Sequence, residues 1–196
     1  ESVMVRLYIA DVSALDIERA LTEVSDYRRQ KALRCPDDEK CRCSLGAELL
    51  LYRALGAPVE YALGDNGKPY IDGGAHFSLS HSGKYAVCAV SDCEIGVDIE
   101  YPRENTARLA KRFFTADENE RLAASDAPDV EFCRIWVVKE SYIKATGMGF
   151  KTPLPSFEAA RRIGEYSTLQ LEHDGYHIAV CAKCESIGDI KVYDEE

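Results

Sequence analysis

The sequence has no surplus of positive charge, no long apolar run and no second cysteine pair at zinc-ribbon spacing. Its 24 Lys and Arg face 34 Asp and Glu, a formal net charge of −10. That excludes a broad nucleic-acid surface and confines any anion site to a local basic pocket. No apolar stretch approaches the roughly 18 residues of a membrane span. The opening "ESVMVRLYIADV" lacks the basic n-region and apolar core of a secretion signal, so the expected location is the cytoplasm. Glu1 in place of methionine points to a trimmed chain or a tag remnant. Of eight cysteines, Cys181 and Cys184 form a C-x-x-C with no partner pair to complete a zinc site. Cys88 and Cys181, in "AVCAV" and "AVCAK", read as small hydrophobes in strands. Cys41 and Cys43, two apart on a helix, face different ways.

What is present is ordinary globular material: 196 residues, 46% hydrophobic and 30% charged, enough for one or two domains of roughly 100–200 residues. Residues 3–12 alternate as a strand does. Ser13 is the expected cap of a helix over "ALDIERALTEV", and Ser25 of one over "DYRRQKAL". Acids after Pro36 open a longer helix that Gly56 ends. "GDNGKPY" (64–70) is a turn, followed by short strands around "AHFSLSH" and "KYAVCAVSDCEIGVDIE". A helix through "TARLAKRFF" follows, and Thr115 with Glu118 forms a capping box for the next. Pro128 opens the long helix that carries Glu140, and Gly147 stops it. "KTPLPSF" is expected to be extended, with two or three strands after it. "YAVCAVSDCEIGVDIE" (85–100) is echoed by "IAVCAKCESIGDIKVYD" (178–194), each reading as a strand, a turn and a second strand. The echo predicts two similar α+β halves, divided near residues 100–105, with a cleft between them where a ligand would sit.

One residue breaks the pattern of the long helix. Phe132, Ile135, Trp136, Tyr142 and Ile143 share a face at 100° per residue, and Lys139 stands in the middle of it. A buried lysine is costly unless something pairs with it, although its stem could lie on the face with the amine in water. In "GVDIE", Asp98 and Glu100 share a strand face about 7 Å apart. With Glu140 opposite, three carboxylates would converge and repel unless a hard divalent cation sat among them. Taken singly, the first two read as a solvated strand end and Glu140 with Lys144 as a surface i,i+4 pair. Lys68 lies between a turn glycine and a proline. Ser80, His81, Ser82 and Gly83 make a donor-rich strand end suited to phosphate oxygens. Arg28, Lys31 and Arg42 add cations at helical positions.

"GKPY", "FSLSHSG", "IGVDIE" with "KRFFT" downstream, and "WVVKESYIKATGMGF" occur in the order and spacing of the Sfp-type 4′-phosphopantetheinyl transferases. The chain resembles that family from about residue 25 to 157. The resemblance implies an α+β fold of two pseudo-symmetric halves, each a small, mainly antiparallel sheet packed with helices. Residues 1–100 would supply the nucleotide contacts, and 101–196 the catalytic helix and carrier docking. Coenzyme A would lie in the cleft, and Mg²⁺ (or Mn²⁺) would be held by Asp98, Glu100 and Glu140. His81 and Lys144 match phosphate-contacting positions and Lys68 the lysine near the nucleotide, while Ser80 would lie along the adenosine. Arg28, Lys31 and Arg42 fall where the family places cations for the 3′-phosphate. Here "YRRQKALRCPDDEKCRCSLG" departs from the family by substituting Cys, Asp and Pro.

The implied catalytic set is Glu140, Lys144, Asp98 and His81, with Glu140 ionised and acting as base. Trp136 and Ile143 would anchor the helix, leaving Lys139 at the cleft edge. The implied reaction moves 4′-phosphopantetheine from coenzyme A to a serine of an apo acyl or peptidyl carrier protein, releasing adenosine 3′,5′-bisphosphate. That is a holo-acyl-carrier-protein synthase activity. An acidic carrier would meet Arg103, Arg108, Lys111 and Arg112, with Phe113 or Phe114. Nucleic acid and membrane are not expected partners, and a pseudo-dimer within one chain implies a monomer. Two alternatives share parts of this pattern. A metal-dependent nuclease of the D…E-x-K kind would want a lysine where Pro102 stands, and a non-catalytic coenzyme A-binding module would not need all three acids and Lys144.

Overall fold

The computed structural model describes residues 2–195; Glu1 and Glu196 lie outside them. The first strand, β1 (Ser2–Asp11), turns Val5, Leu7 and Ile9 one way and Tyr8 the other. Both faces find apolar cover, so two layers must flank it. Next come α1 (Ile17–Glu23), α2 (Asp26–Ala32), α3 (Asp38–Leu55), β2 (Ala62–Leu63), β3 (Pro69–Tyr70), β4 (His76–Ser82), β5 (Tyr85–Ser91) and β6 (Ile95–Glu100). The rest of the chain forms α4 (Ala107–Phe113), α5 (Ala116–Ala124), α6 (Pro128–Thr146), β7 (Arg162–Ile163), β8 (Tyr166–His173), β9 (Tyr176–Ala182) and β10 (Ser186–Glu195).

Two four-stranded sheets result, in the orders β10-β1-β5-β4 and β6-β9-β8-β7. Every pairing in them is antiparallel except β1 with β10. Their inner faces pack together through Val5, Leu7 and Ile9, Val87 and Ala89, Val97 and Ile99, and Ile178 and Val180. Fully burying one such Val, Leu or Ile stabilises by about 1.5–3 kcal/mol. The outer face of the first sheet, with Ala86 and Cys88, lies on α3 through Ala47, Leu50 and Leu51. The outer face of the second, with Ala179 and Cys181, lies on Val137, Val138 and Ala145 of α6. The molecule is therefore α+β in four layers, helix, sheet, sheet, helix, and each half mirrors the other in build. Cys88 and Cys181 occupy matching places beneath the two helices, and all eight cysteines are free thiols.

The echoed segments are not hairpins. β5 stays in the first sheet while β6 crosses to the second; β9 stays in the second while β10 crosses to the first. Short turns cannot fold these strands back, because each strand after I-G pairs with a partner far along the chain. Sheet membership thus crosses residue 100 in both directions.

Local caps explain most helix ends. Ser25 accepts from Arg28 N, Asp37 from Lys40 N, and Thr115 with Glu118 closes a capping box. Gly56 and Gly147 end α3 and α6 in the left-handed region. Ser13 does not cap α1. Its N–H and hydroxyl donate to Asp11 at 2.9 and 2.6 Å, and Asp16 caps instead, one turn later. "KTPLPSF" is not simply extended, since short 3₁₀ turns form at Gly149–Lys151 and Leu154–Ser156. Four strands follow rather than two or three, because β7 is a two-residue strand with little pattern to read.

Candidate active site

β6 and α6 touch backbone to backbone. A Cβ on Gly96 would stand 2.0 Å from the Ser141 carbonyl oxygen and 2.3 Å from the Ala145 nitrogen. Only glycine admits that approach. Two residues on, along the same strand face, Asp98 comes under α6, where Lys144 Nζ lies 2.7 Å from its Oδ1. Ser80 on the neighbouring β4 completes the knot. Its hydroxyl donates to Asp98 Oδ1 at 3.0 Å and accepts from Lys144 Nζ at 3.0 Å and from Ile99 N at 3.4 Å. Asp98 Oδ2 is buried with no hydrogen-bond partner. Glu100 accepts from the Ser82 hydroxyl at 3.3 Å.

Burial, then the nearby Asp98 charge, pushes the carboxyls of Glu100 and Glu140 above the usual range. For Glu140, Lys144 opposes that shift without cancelling it. This corrects the expectation that flanking lysines would favour its ionised form, because one of those lysines is committed elsewhere. Glu140 is half-buried and does not line the cavity that Asp98, Glu100 and Lys144 line. Among the described residues, no set of three or more His, Cys, Asp or Glu stands gathered for a metal ion. The chemistry of the donors nevertheless fits a hard divalent cation: the Asp98 charge reaches both Glu100 and Glu140, and a buried Asp98 oxygen is left unpartnered.

The cavity encloses about 470 Å³. Asp98 and Glu100 are its acids. Arg28 and Lys31 provide cations, and Ser80, His81, Lys144 and the Asn66–Gly67 turn also line it. His81 is exposed. Even so, the protein packed around it, with Lys144, Arg28 and Lys31, holds its imidazole down to about 4. Burial, then Arg28, lowers Lys31 as well. Basic groups crowded this way favour an anion among them.

Several expected residues sit differently. Lys68 lines the cavity with its stem, but its amine donates to the carbonyls of Ile95 (3.2 Å) and Ala145 (2.6 Å), tying its loop to β6 and to the end of α6. A cation at that helix end suits the dipole. Arg42 is not in the cavity lining; its Nε donates to Leu15 O at 3.1 Å, toward α1. Lys139 is not at the cleft edge. It is fully buried, 2.8 Å from Glu118, donating to Phe157 O and lying over the Phe157 ring. Trp136 joins Phe113, Phe114 and Phe132 in an aromatic cluster, whereas Ile143 faces the cavity. Phe114 is only 4% exposed and cannot meet a partner; Phe113 is half-buried, and Arg103, Arg108, Lys111 and Arg112 are exposed. Sequence reasoning missed Asn66 and two residues of α3, Ser44 and Glu48, that hold Arg28. Glu48 was detectable as an acid on the apolar stretch "SLGAELLL".

A cleft lined by Asp98 and Glu100 together with Arg28, Lys31 and Lys144 suits an anionic ligand held beside acids. The sequence profile of the 4′-phosphopantetheinyl transferase superfamily matches residues 94–192. A 4′-phosphopantetheinyl transferase of Bacillus subtilis is 33% identical, the match covering 94% of each chain. The 4′-phosphopantetheinyl transferase Sfp of Bacillus subtilis (strain 168) is 30% identical over 84% of each. The holo-[acyl-carrier-protein] synthase structure of Thermotoga maritima overlaps 47% of this chain and 63% of its own, with a TM-score of 0.40 and 15% identity. The chain belongs to the 4′-phosphopantetheinyl transferase superfamily. No helix among the described residues is long and apolar enough to cross a membrane.

Proposed function

We propose that the protein transfers the 4′-phosphopantetheine group of coenzyme A to a serine hydroxyl of an apo acyl or peptidyl carrier protein, releasing adenosine 3′,5′-bisphosphate. It would thus act as a holo-acyl-carrier-protein synthase. The observation that carries this is the Asp98–Lys144–Ser80 knot inside a cleft with basic walls, in a member of this family.

Phosphoryl transfer of this kind depends on positioning and on stabilising charge. Arg28 and Lys31 hold the nucleotide end of coenzyme A by its phosphate. The His81 imidazole, neutral at pH 7, donates or accepts a hydrogen bond rather than contributing charge. Lys144 can turn from Asp98 toward the diphosphate and offset charge that grows on its oxygens. Asp98, Glu100 and Glu140 would hold Mg²⁺ or Mn²⁺, which when bound neutralises diphosphate charge. Glu140, set back from the cavity lining, takes the serine proton directly or through a water, and a carboxylate pKa raised by burial suits that role. Lys68 acts from behind by fixing the turn against β6 and α6. Residues 1–100 supply most nucleotide contacts. Residues 101–196 supply α6 and the exposed Arg103, Arg108, Lys111 and Arg112, which meet an acidic carrier. The working form is a cytoplasmic monomer.

The test is to incubate the protein with coenzyme A and a panel of apo carriers, following adenosine 3′,5′-bisphosphate. Release should require a carrier with its serine intact. Equal release with a Ser→Ala carrier would mean hydrolysis and would support a phosphohydrolase instead.

A further inference from the structure

Glu48 has no exposed surface and nothing in the transfer chemistry to do. Four donors converge on it. Oε2 accepts from Ser25 N at 2.7 Å and Tyr52 OH at 3.1 Å; Oε1 accepts from Ser25 Oγ at 3.0 Å and from Tyr61 OH. The donors come from the cap of α2, from α3 itself and from the segment after α3. Burial and contact with Glu48 push both tyrosine hydroxyls up to about 12, so each keeps its proton at neutral pH and remains a donor. The carboxylate is fixed from three directions.

What it faces is Arg28. Glu48 Oε1 lies 3.6 Å from Arg28 Nε, which makes no hydrogen bond, and Arg28 Nη1 reaches Ser44 Oγ at 3.4 Å. Arg28 is 5% exposed, yet it lines the cavity beside Lys31. A guanidinium so buried is costly unless opposed by an anion, and Glu48 provides that charge from behind. We infer that Glu48, held by Ser25 and Tyr61, is the positioning residue that sets Arg28 in the cleft. By doing so it governs preference for cosubstrates bearing a phosphate on the 3′ side of the adenosine. The inference rests on assigning the cleft to coenzyme A.

The experiment measures KM and kcat for coenzyme A and dephospho-coenzyme A with saturating carrier. Wild type is compared with Arg28→Ala, Glu48→Gln and Tyr61→Phe, and urea midpoints are recorded for each. Wild type should favour coenzyme A. Arg28→Ala and Glu48→Gln should both narrow the KM ratio of the two cosubstrates, on the order of 10-fold for loss of a charge-assisted contact. Tyr61→Phe, which removes one donor and keeps the ring, should narrow it less. It decides the matter if Glu48→Gln does not fold. A purely structural role would lower the urea midpoint and leave the KM ratio alone. An unchanged ratio in Glu48→Gln, or in Tyr61→Phe where that variant decides, overturns the inference while Arg28→Ala still shifts it. An unchanged ratio in Arg28→Ala overturns instead the assignment on which it rests.

Discussion

Lys139 and Lys144 sit roughly 140° apart around α6 at 100° per residue, and that angle separates their jobs. Lys144 turns to Asp98 and the cavity; Lys139 turns to Glu118, inside the protein. The sequence marks Lys139 as anomalous, an amine on an apolar face. Its partner lies on α5, a separate helix whose packing no local pattern reveals, and Glu118 already had a reading as a capping-box acid. Removing the partner with Glu118→Ala should cost roughly 3–5 kcal/mol, because it strands a buried ammonium. The double change Glu118→Gln with Lys139→Met should cost less than the sum of the two single changes. Urea unfolding of the four proteins checks this, and strict additivity would mean no coupling. His81 gives a pH prediction. The unfolded chain protonates it near 6.5 and the folded chain only near 4, so between those values the unfolded state binds more protons and stability drops as the pH is lowered. Glu100 and Glu140, raised in the folded state, act in the opposite sense above 4.5. Comparison with His81→Gln isolates the histidine: wild type should lose more stability from pH 6.5 to 4, and parallel urea midpoints would refute this.

The contact between β6 and α6 brings the acids to Lys144. Gly96→Ala must drive the two backbones apart and should cost about 1–3 kcal/mol or more. Coenzyme A affinity should fall with it, since Asp98 and Lys144 follow their elements. Calorimetric titration with unchanged affinity would show that the crossing does not set the site. The helix α6 was legible from Pro128 to Gly147, and so were the alternating strands β5, β6 and β9. Their partners were not. The echo revealed two similar halves, but the strands exchange sheets, and this depends on pairings as distant as Val5 with Ile190. Phase mattered similarly on α2 and α3. Arg28 and Lys31 point to the cavity and Arg42 to Leu15, a difference of helix orientation that spacing alone does not reveal.

The whole molecule carries a formal charge of −10, yet it presents cations along its cleft and on the exposed face of α4. That asymmetry suits an acidic carrier approaching an acidic enzyme. Arg108→Glu with Lys111→Glu should raise KM for the carrier several-fold, more at low salt, and leave KM for coenzyme A unchanged; equal carrier KM would place docking elsewhere. At this scale the proposed activity is transfer of the phosphopantetheine arm from coenzyme A to a carrier serine. It is tested most directly by intact-mass spectrometry of an apo carrier after incubation with the protein, coenzyme A and Mg²⁺. The expected result is a gain of one phosphopantetheine group on the serine, abolished by excess chelator and by Asp98→Ala. A carrier panel that gains no mass with well-folded protein, or gains it undiminished in chelator, would contradict the account.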